Sequence, residues 1–203
     1  MSAPQTRGRY AKGVERREQI IQTATDVFAT EGFEGTALKR VAELVGVREA
    51  TLFHYFGSKQ ELLTSVLEER DRRTAEDVQA GGGLTESMPS IARRNATQPG
   101  LTTLYAVASA TASAPGHASH EFFLQRFRAV VDNAAGDISA RQAAGTLRTD
   151  LPPAVLARLL VAASDGLQLQ WMYDKTIDMA QDLESLVLAL FAPAVAPAAP
   201  TSK

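Results

Sequence analysis

An all-helical fold is expected, and three features of the chain carry that expectation. Apolar residues recur at the three- and four-residue spacing of a helix face through most of the sequence. No run of alternating apolar and polar residues lies between turn residues, as a half-buried strand requires. Glycines and prolines fall between the periodic stretches, where helices stop and start.

Ile20, Ile21, Ala24, Val27 and Phe28 place one apolar stripe on a first helix of about four turns, which stops at Gly32, where a left-handed cap is easy. Ahead of it, residues 1–13 read as a disordered basic arm. Leu38, Val41, Ala42 and Val45 line a short second helix ended by Gly46. A third lies within Val47–Phe56, with Leu52 and Phe56 one turn apart and facing inward. After Gly57, Ser58-Lys-Gln-Glu61 has the pattern of a capping box, the serine oxygen accepting a backbone N–H and Glu61 reaching back. It opens a long fourth helix whose inner face is Leu62, Leu63, Val66 and Leu67. Beyond the Gly81-Gly82-Gly83 break, helices are expected near 86–97, 101–113, 119–143, 153–173 and 179–191. Pro115-Gly116, Gly145 and Asp150-Leu-Pro-Pro153 separate them. Residues 192–203, rich in Ala and Pro, read as a disordered tail.

The chain has 203 residues, 45% hydrophobic and 22% charged, enough for one domain or for a small one joined to a larger. No window approaches the roughly 18 apolar residues of a membrane span, and no apolar run follows the basic N-terminal residues. A cytoplasmic protein with no membrane partner is the expectation. The absence of cysteine removes disulfide frameworks, cysteine-ligated zinc, iron–sulfur clusters and thiol nucleophiles together. The net charge of −2 is unevenly spread: residues 1–60 carry nine Lys/Arg against seven Asp/Glu, and the remainder twelve against sixteen. Arg7, Arg9, Lys12, Arg16 and Arg17 face a single Glu15 in the first seventeen residues. A basic end on an acidic body is expected where only the N-terminal part meets a polyanion.

Two short helices joined by a tight glycine turn and braced by a preceding helix have the layout of a helix-turn-helix, and Ala37–Phe56 is the candidate unit. Leu38, Val41, Ala42, Val47, Leu52 and Phe56 must be apolar to lock the helices together. The polar remainder, Lys39, Arg40, Arg48, Glu49, Thr51, His54 and Tyr55, exceeds what folding requires. Such a face suits a DNA major groove, with hydroxyls and cations on phosphates to set register and one or two side chains on base edges. Lys59, in the first turn of the fourth helix, adds a cation beside a positive helix end.

The stretches Glu31-Gly-Phe-Glu-Gly-Thr36, Val41-Ala-Glu-Leu-Val-Gly-Val47, Ala50-Thr-Leu-Phe-His-Tyr-Phe-Gly-Ser-Lys59 and Glu61-Leu-Leu63 closely resemble the TetR family of bacterial transcriptional regulators. The likeness runs without a gap from Ile20 to Leu67. It implies a two-fold symmetric, all-helical homodimer: an N-terminal three-helix DNA-binding domain over 14–57 and a helical effector-binding and dimerisation domain over 58–191. By the same resemblance Glu49, Ala50 and Phe53, with Lys39, face base edges. Thr51, His54, Tyr55 and Lys59 meet phosphates, and Thr36 completes the set of DNA contacts. Arg48 departs from the family, which often has serine there; arginine cannot cap the third helix and is free to reach DNA.

In the C-terminal part, Leu156, Leu160, Ala163 and Leu167 line one face of the helix from 153, and Leu183, Leu186 and Leu190 line the last. The resemblance makes these stripes candidates for a four-helix dimer interface; closing the monomer core is the competing reading. Met88, Tyr105, Phe122, Phe123, Phe127 and Trp171 are candidates for an effector pocket, since pockets are mainly apolar. The segments 145–150 and 165–171 loosely resemble those of the choline-responsive branch, without assigning an effector. His117, His120 and Glu121 match no zinc-protease order, no glycine-rich phosphate loop follows a strand, and no Gly-x-Ser-x-Gly elbow occurs. The expectation is therefore a DNA-binding repressor and not an enzyme, with no metal and no cofactor. Its partners are a double-stranded palindromic operator and a small-molecule effector. The alternative is a DNA-binding protein without an effector that acts through a protein partner.

Overall fold

A computed structural model describes residues 5–191, with side chains from 11 to 190, and every regular element among the described residues is an α-helix. In chain order these are α1 (Gln5–Glu31), α2 (Leu38–Val45), α3 (Glu49–Phe56), α4 (Lys59–Ala80), α5 (Leu84–Thr97), α6 (Pro99–Thr111), α7 (His120–Ala143), α8 (Pro153–Tyr173) and α9 (Met179–Phe191). The spacing of apolar residues located each of them. The first helix departs most: at 27 residues it is far longer than four turns and takes in residues 5–13, expected as an irregular arm. Once Ile20–Phe28 is packed, each further residue adds a backbone hydrogen bond without a new nucleation cost. Residues 1–4 of that arm and the expected tail at 192–203 lie outside the described residues.

The chain divides into two compact units, and the division does not fall at residue 57. One unit runs through Glu76 and regains Asn95–Phe123; the other comprises Asp77–Arg94 and the chain from Leu124. The helix-turn-helix segment thus shares its unit with α6. In this first unit Ile20, Ala24 and Phe28 of α1, Val41 of α2, Leu52 of α3 and Leu62 of α4 are almost fully buried. α1 packs on both α2 and α6. Gly100 makes the second contact possible, because a Cβ there would overlap the carbonyl oxygen of Ala29. Arg70 is buried with its guanidinium 4.1 Å from the centroid of the Tyr105 ring, and that ring packs on Phe123.

In the second unit α8 packs on α9 around a core that includes Met88, Ile138, Leu156, Leu160, Trp171 and Leu183. Ion pairs Arg94–Asp77 and Arg141–Glu86 tie its helices, and Gln142 Nε2 donates to the carbonyls of Arg148 (2.7 Å) and Leu151 (2.9 Å) across the α7–α8 turn. Three of the seven candidates for a dimer face follow the competing reading and close the core. Leu156, Leu160 and Leu183 are sealed inside their own unit, and Ala163, Leu167, Leu186 and Leu190 pack half-buried against it. A helix presents several faces to a periodicity argument, and these leucines were needed for the core. The apolar side chains left in solvent are others: Leu159, Leu169 (51% exposed) and Tyr173 (88%) on α8, and Leu188 (69%) on α9.

Candidate nucleic-acid interface

The locking of α2 to α3 follows from their apolar positions. Leu38, Val41, Ala42 and Val45 are buried on α2, and Leu52 and Phe56 on α3. Between them Gly46 adopts φ +74°, a left-handed conformation that costs glycine little, and its N–H is shared between the carbonyls of Ala42 and Glu43. Val47 N–H then donates to Ala42 O at 2.9 Å, closing the turn. Arg16 of α1 reaches the last carbonyl of α2, Val45 O, at 3.4 Å, a favourable place for a cation at a helix C-terminus. Arg17 donates to Ser65 Oγ at 3.0 Å and lies over the Phe56 ring. These two arginines of the basic N-terminal stretch are thus clamps inside the unit. Their charge was visible in the sequence; their partners, distant in the chain, were not.

With the inner faces consumed, α3 turns Arg48, Glu49, Ala50, Phe53 and His54 outward, and Thr51 and Tyr55 stand half-buried beside them. Phe53 is 47% exposed, an unusual setting for an aromatic unless something covers it. Arg48 stands at the N-cap with no side-chain capping bond, as its chemistry requires, so the guanidinium remains in solvent. Lys39 is 73% exposed on α2 with Glu43 3.8 Å away, too loose a pair to hold it. Arg40 is turned back to Glu31 at 3.1 Å.

Of the expected DNA contacts, one is turned inward and another already has partners within the protein. Thr36 is buried, its hydroxyl donating to Gly32 O at 2.6 Å, so its side chain serves the α1–α2 turn. Lys59 starts α4 but is held: Nζ donates to Glu34 O at 3.3 Å and lies 4.4 Å from the Phe33 ring centroid. The capping box is half-formed. Glu61 N–H donates to Ser58 Oγ at 3.1 Å, whereas Ser58 N–H goes to Phe56 O at 2.7 Å. Leu44, on α2, is a second exposed apolar group of the helix-turn-helix, at 51%.

The six candidate effector residues do not converge in one unit. Tyr105, Phe122 and Phe123 belong to the first; Met88, Phe127 and Trp171 belong to the second, where Met88 and Trp171 are core. Trp171 carries the Lys175 ammonium 3.3 Å from its ring centroid. One turn away on α8, Gln168 Oε1 is buried without a partner, a polar signal that an apolar search passes over. His117 and His120 do not converge on a metal: Ser119 N–H donates to His117 Nδ1 and His120 Nδ1 donates to Ala112 O. Among the described residues no three His, Asp or Glu gather into a metal site, and no helix is long and apolar enough to cross a membrane.

A chain whose regular elements are all helices among the described residues, and which presents the second helix of a helix-turn-helix as an exposed polar and aromatic face, has the build of a DNA-binding regulator. Residues 20–66 match the family model for bacterial regulatory proteins of the tetR family. The transcriptional repressor AcnR of Corynebacterium diphtheriae is 31% identical over 152 residues, which cover 74% of this chain and 78% of that protein. The crystal structure of a TetR-family transcriptional regulator from Rhodococcus sp. superposes with a TM-score of 0.72 at 23% identity, covering 88% of this chain and 100% of that one. AibR, crystallised with isovaleryl coenzyme A and operator DNA, gives 0.63 at 21% identity over 88% of this chain and 100% of that one. The chain belongs to the TetR family and is a DNA-binding transcriptional regulator.

Proposed function

We propose that the protein is a repressor that binds a palindromic operator as a homodimer and leaves it when a small-molecule effector binds. The exposed face of α3 carries this reading: an apolar lock on one side frees Arg48, Glu49, Ala50, Phe53 and His54 on the other. In this role Arg48, Glu49, Ala50 and Phe53, with Lys39, read base edges. Arg48 donates to guanine or phosphate, Glu49 accepts from a cytosine amine, and Phe53 packs on a thymine methyl. Thr51, His54, Tyr55 and Lys59 hold phosphates, Lys59 exchanging its carbonyl partner for a phosphate oxygen. Repression is supported by the AcnR likeness, and effector control by AibR, whose structure holds both isovaleryl coenzyme A and operator DNA.

Dimerisation is assigned to the apolar groups left exposed on α8 and α9: Leu159, Leu169, Tyr173 and Leu188. A two-fold dimer sets its recognition helices on successive major grooves about 34–36 Å or somewhat more apart, which dictates a near-palindromic site. An effector releases such a dimer only by binding the DNA-incompetent arrangement more tightly.

Selection of bound sequences from random DNA, followed by affinity measurement across salt concentrations, tests the reading. A palindrome bound about 10³-fold or more tightly than unrelated duplex supports it. Weak, salt-sensitive binding with no enriched sequence overturns it. A sequence-specific protein that no metabolite stabilises or releases would favour action through a protein partner instead.

A further inference from the structure

A cavity of about 290 Å³ opens in the first unit between the C-terminal end of α1, the turn that follows it, the start of α4 and α6. Phe28, Leu63, Leu104 and Val107 supply apolar wall, and His117 and Ser119 supply polar wall. None of the six aromatic and methionine candidates lines it. Its volume is about twice that of an engineered 150 Å³ cavity that holds benzene, so it has room for about two rings.

Two observations make this more than a packing defect. Ser119 is 97% buried and its hydroxyl oxygen has no hydrogen-bond partner, although buried hydroxyls are normally paired. The oxygen itself is sealed from the cavity, so pairing with a guest requires a turn about χ1, which no side-chain hydrogen bond opposes. Its neighbour His117 accepts the Ser119 N–H at Nδ1 (3.1 Å), which leaves the proton of the neutral imidazole on Nε2 as a second donor. An apolar chamber with a buried unpaired hydroxyl and an imidazole donor in its wall suits a guest that is apolar except at one oxygen.

We propose that this cavity is a binding site for a small, neutral, largely apolar molecule carrying one hydroxyl or carbonyl group, distinct from the aromatic residues named above. The guest's rings lie against Phe28, Leu63, Leu104 and Val107, and its oxygen pairs with Ser119 and His117. The wall also includes Phe33, whose ring carries Lys59, so the guest sits directly behind the residues that lead into the DNA-binding helices.

The test uses the full chain without DNA, so it stands or falls separately from the operator reading. 1-Naphthol and naphthalene are titrated by NMR against the unmodified protein, Ser119→Ala and Ala108→Phe, the last filling the chamber from α6. The unmodified protein is expected to bind 1-naphthol about fivefold to tenfold more tightly than naphthalene, the worth of one hydrogen bond. Ser119→Ala reduces that preference to the share His117 supplies and keeps naphthalene binding, and Ala108→Phe removes both. Nuclear Overhauser contacts from 1-naphthol to the methyl groups of Leu63, Leu104 and Val107 keep the test decisive if Ala108→Phe does not fold. No binding, equal affinity for the two probes, or contacts only to other methyl groups overturns the proposal.

Discussion

Glu49 stands exposed in the first turn of α3, among groups suited to a polyanion. A carboxylate there repels phosphate and is productive only where it accepts a hydrogen bond, as from a cytosine amine. Glu49→Ala is expected to relax sequence preference at one base position, a discrimination of about 1–3 kcal/mol, with the other positions unchanged in a selection profile. Lys59→Ala should instead weaken operator and unrelated DNA alike and lower the salt slope by about one. Equal losses from both variants on both duplexes would contradict the assignment. Thr36 shows where residue-level reading of the sequence stopped. A threonine beside a recognition motif is a natural phosphate contact, but the Gly32 carbonyl at the end of α1 needed a donor and took the hydroxyl.

At the level of the helix, α3 lacks the capping bond its length calls for: eight residues with Arg48 at the N-cap. Arg48→Ser should raise thermal stability by about 1 kcal/mol while reducing operator affinity, measured by calorimetry and DNA titration on the same variant. A gain in both would remove Arg48 from the interface. On α4, Glu69 is gripped by Arg72 (2.7 Å) and Arg73 (2.8 Å) within one turn. Chiefly through the Arg72 hydrogen bond, and despite partial desolvation, its carboxyl is lowered to about 2 from the usual 4.5. A carboxylate with a depressed pKa in the folded state contributes fully above about 4.5 and loses that contribution as pH falls towards 2. Solvent screening holds the effect to about 1 kcal/mol or less. Glu69→Gln should therefore flatten the pH dependence of unfolding between pH 4.5 and 2 and leave the profile above pH 5 unchanged in shape. An identical acid limb in the two proteins would show the pair to be without net effect.

Across the molecule, α8 and α9 bury some of their apolar residues in the core and leave others in solvent. Leu160 is fully buried, and Leu160→Ala should cost about 2–5 kcal/mol of stability in denaturant unfolding. For the proposed homodimer, Leu169→Glu should leave helicity intact, give monomer in light scattering and reduce operator affinity, because both half-sites must then be bound independently. A dimer that survives Leu169→Glu places the interface elsewhere.

Most of the fold was legible in the chain because helical burial has a short, regular period. The stripes at Ile20–Phe28, Leu38–Val45 and Leu62–Leu67 located helices before any packing was known, and glycines at 32, 46 and 57 marked their ends. The family was legible too, because the helix-turn-helix is a contiguous segment whose turn and inner face constrain residue type locally. What sequence by itself determined was therefore what local periodicity and contiguous motif can carry: an all-helical chain with a DNA-binding end. Tertiary structure alone decided which of several apolar faces closes a core and which stays in solvent, so that Leu156, Leu160 and Leu183 went inside and Leu169 and Tyr173 did not. It also decided that Arg16 and Arg17 clamp α2 and α4, and that Ser119 lies unpaired beside a cavity built from helices far apart in sequence. The physical reason is the same in each case. Burial and hydrogen-bond partnership depend on distances between residues remote along the chain, and periodicity records only the direction in which a side chain leaves its own helix.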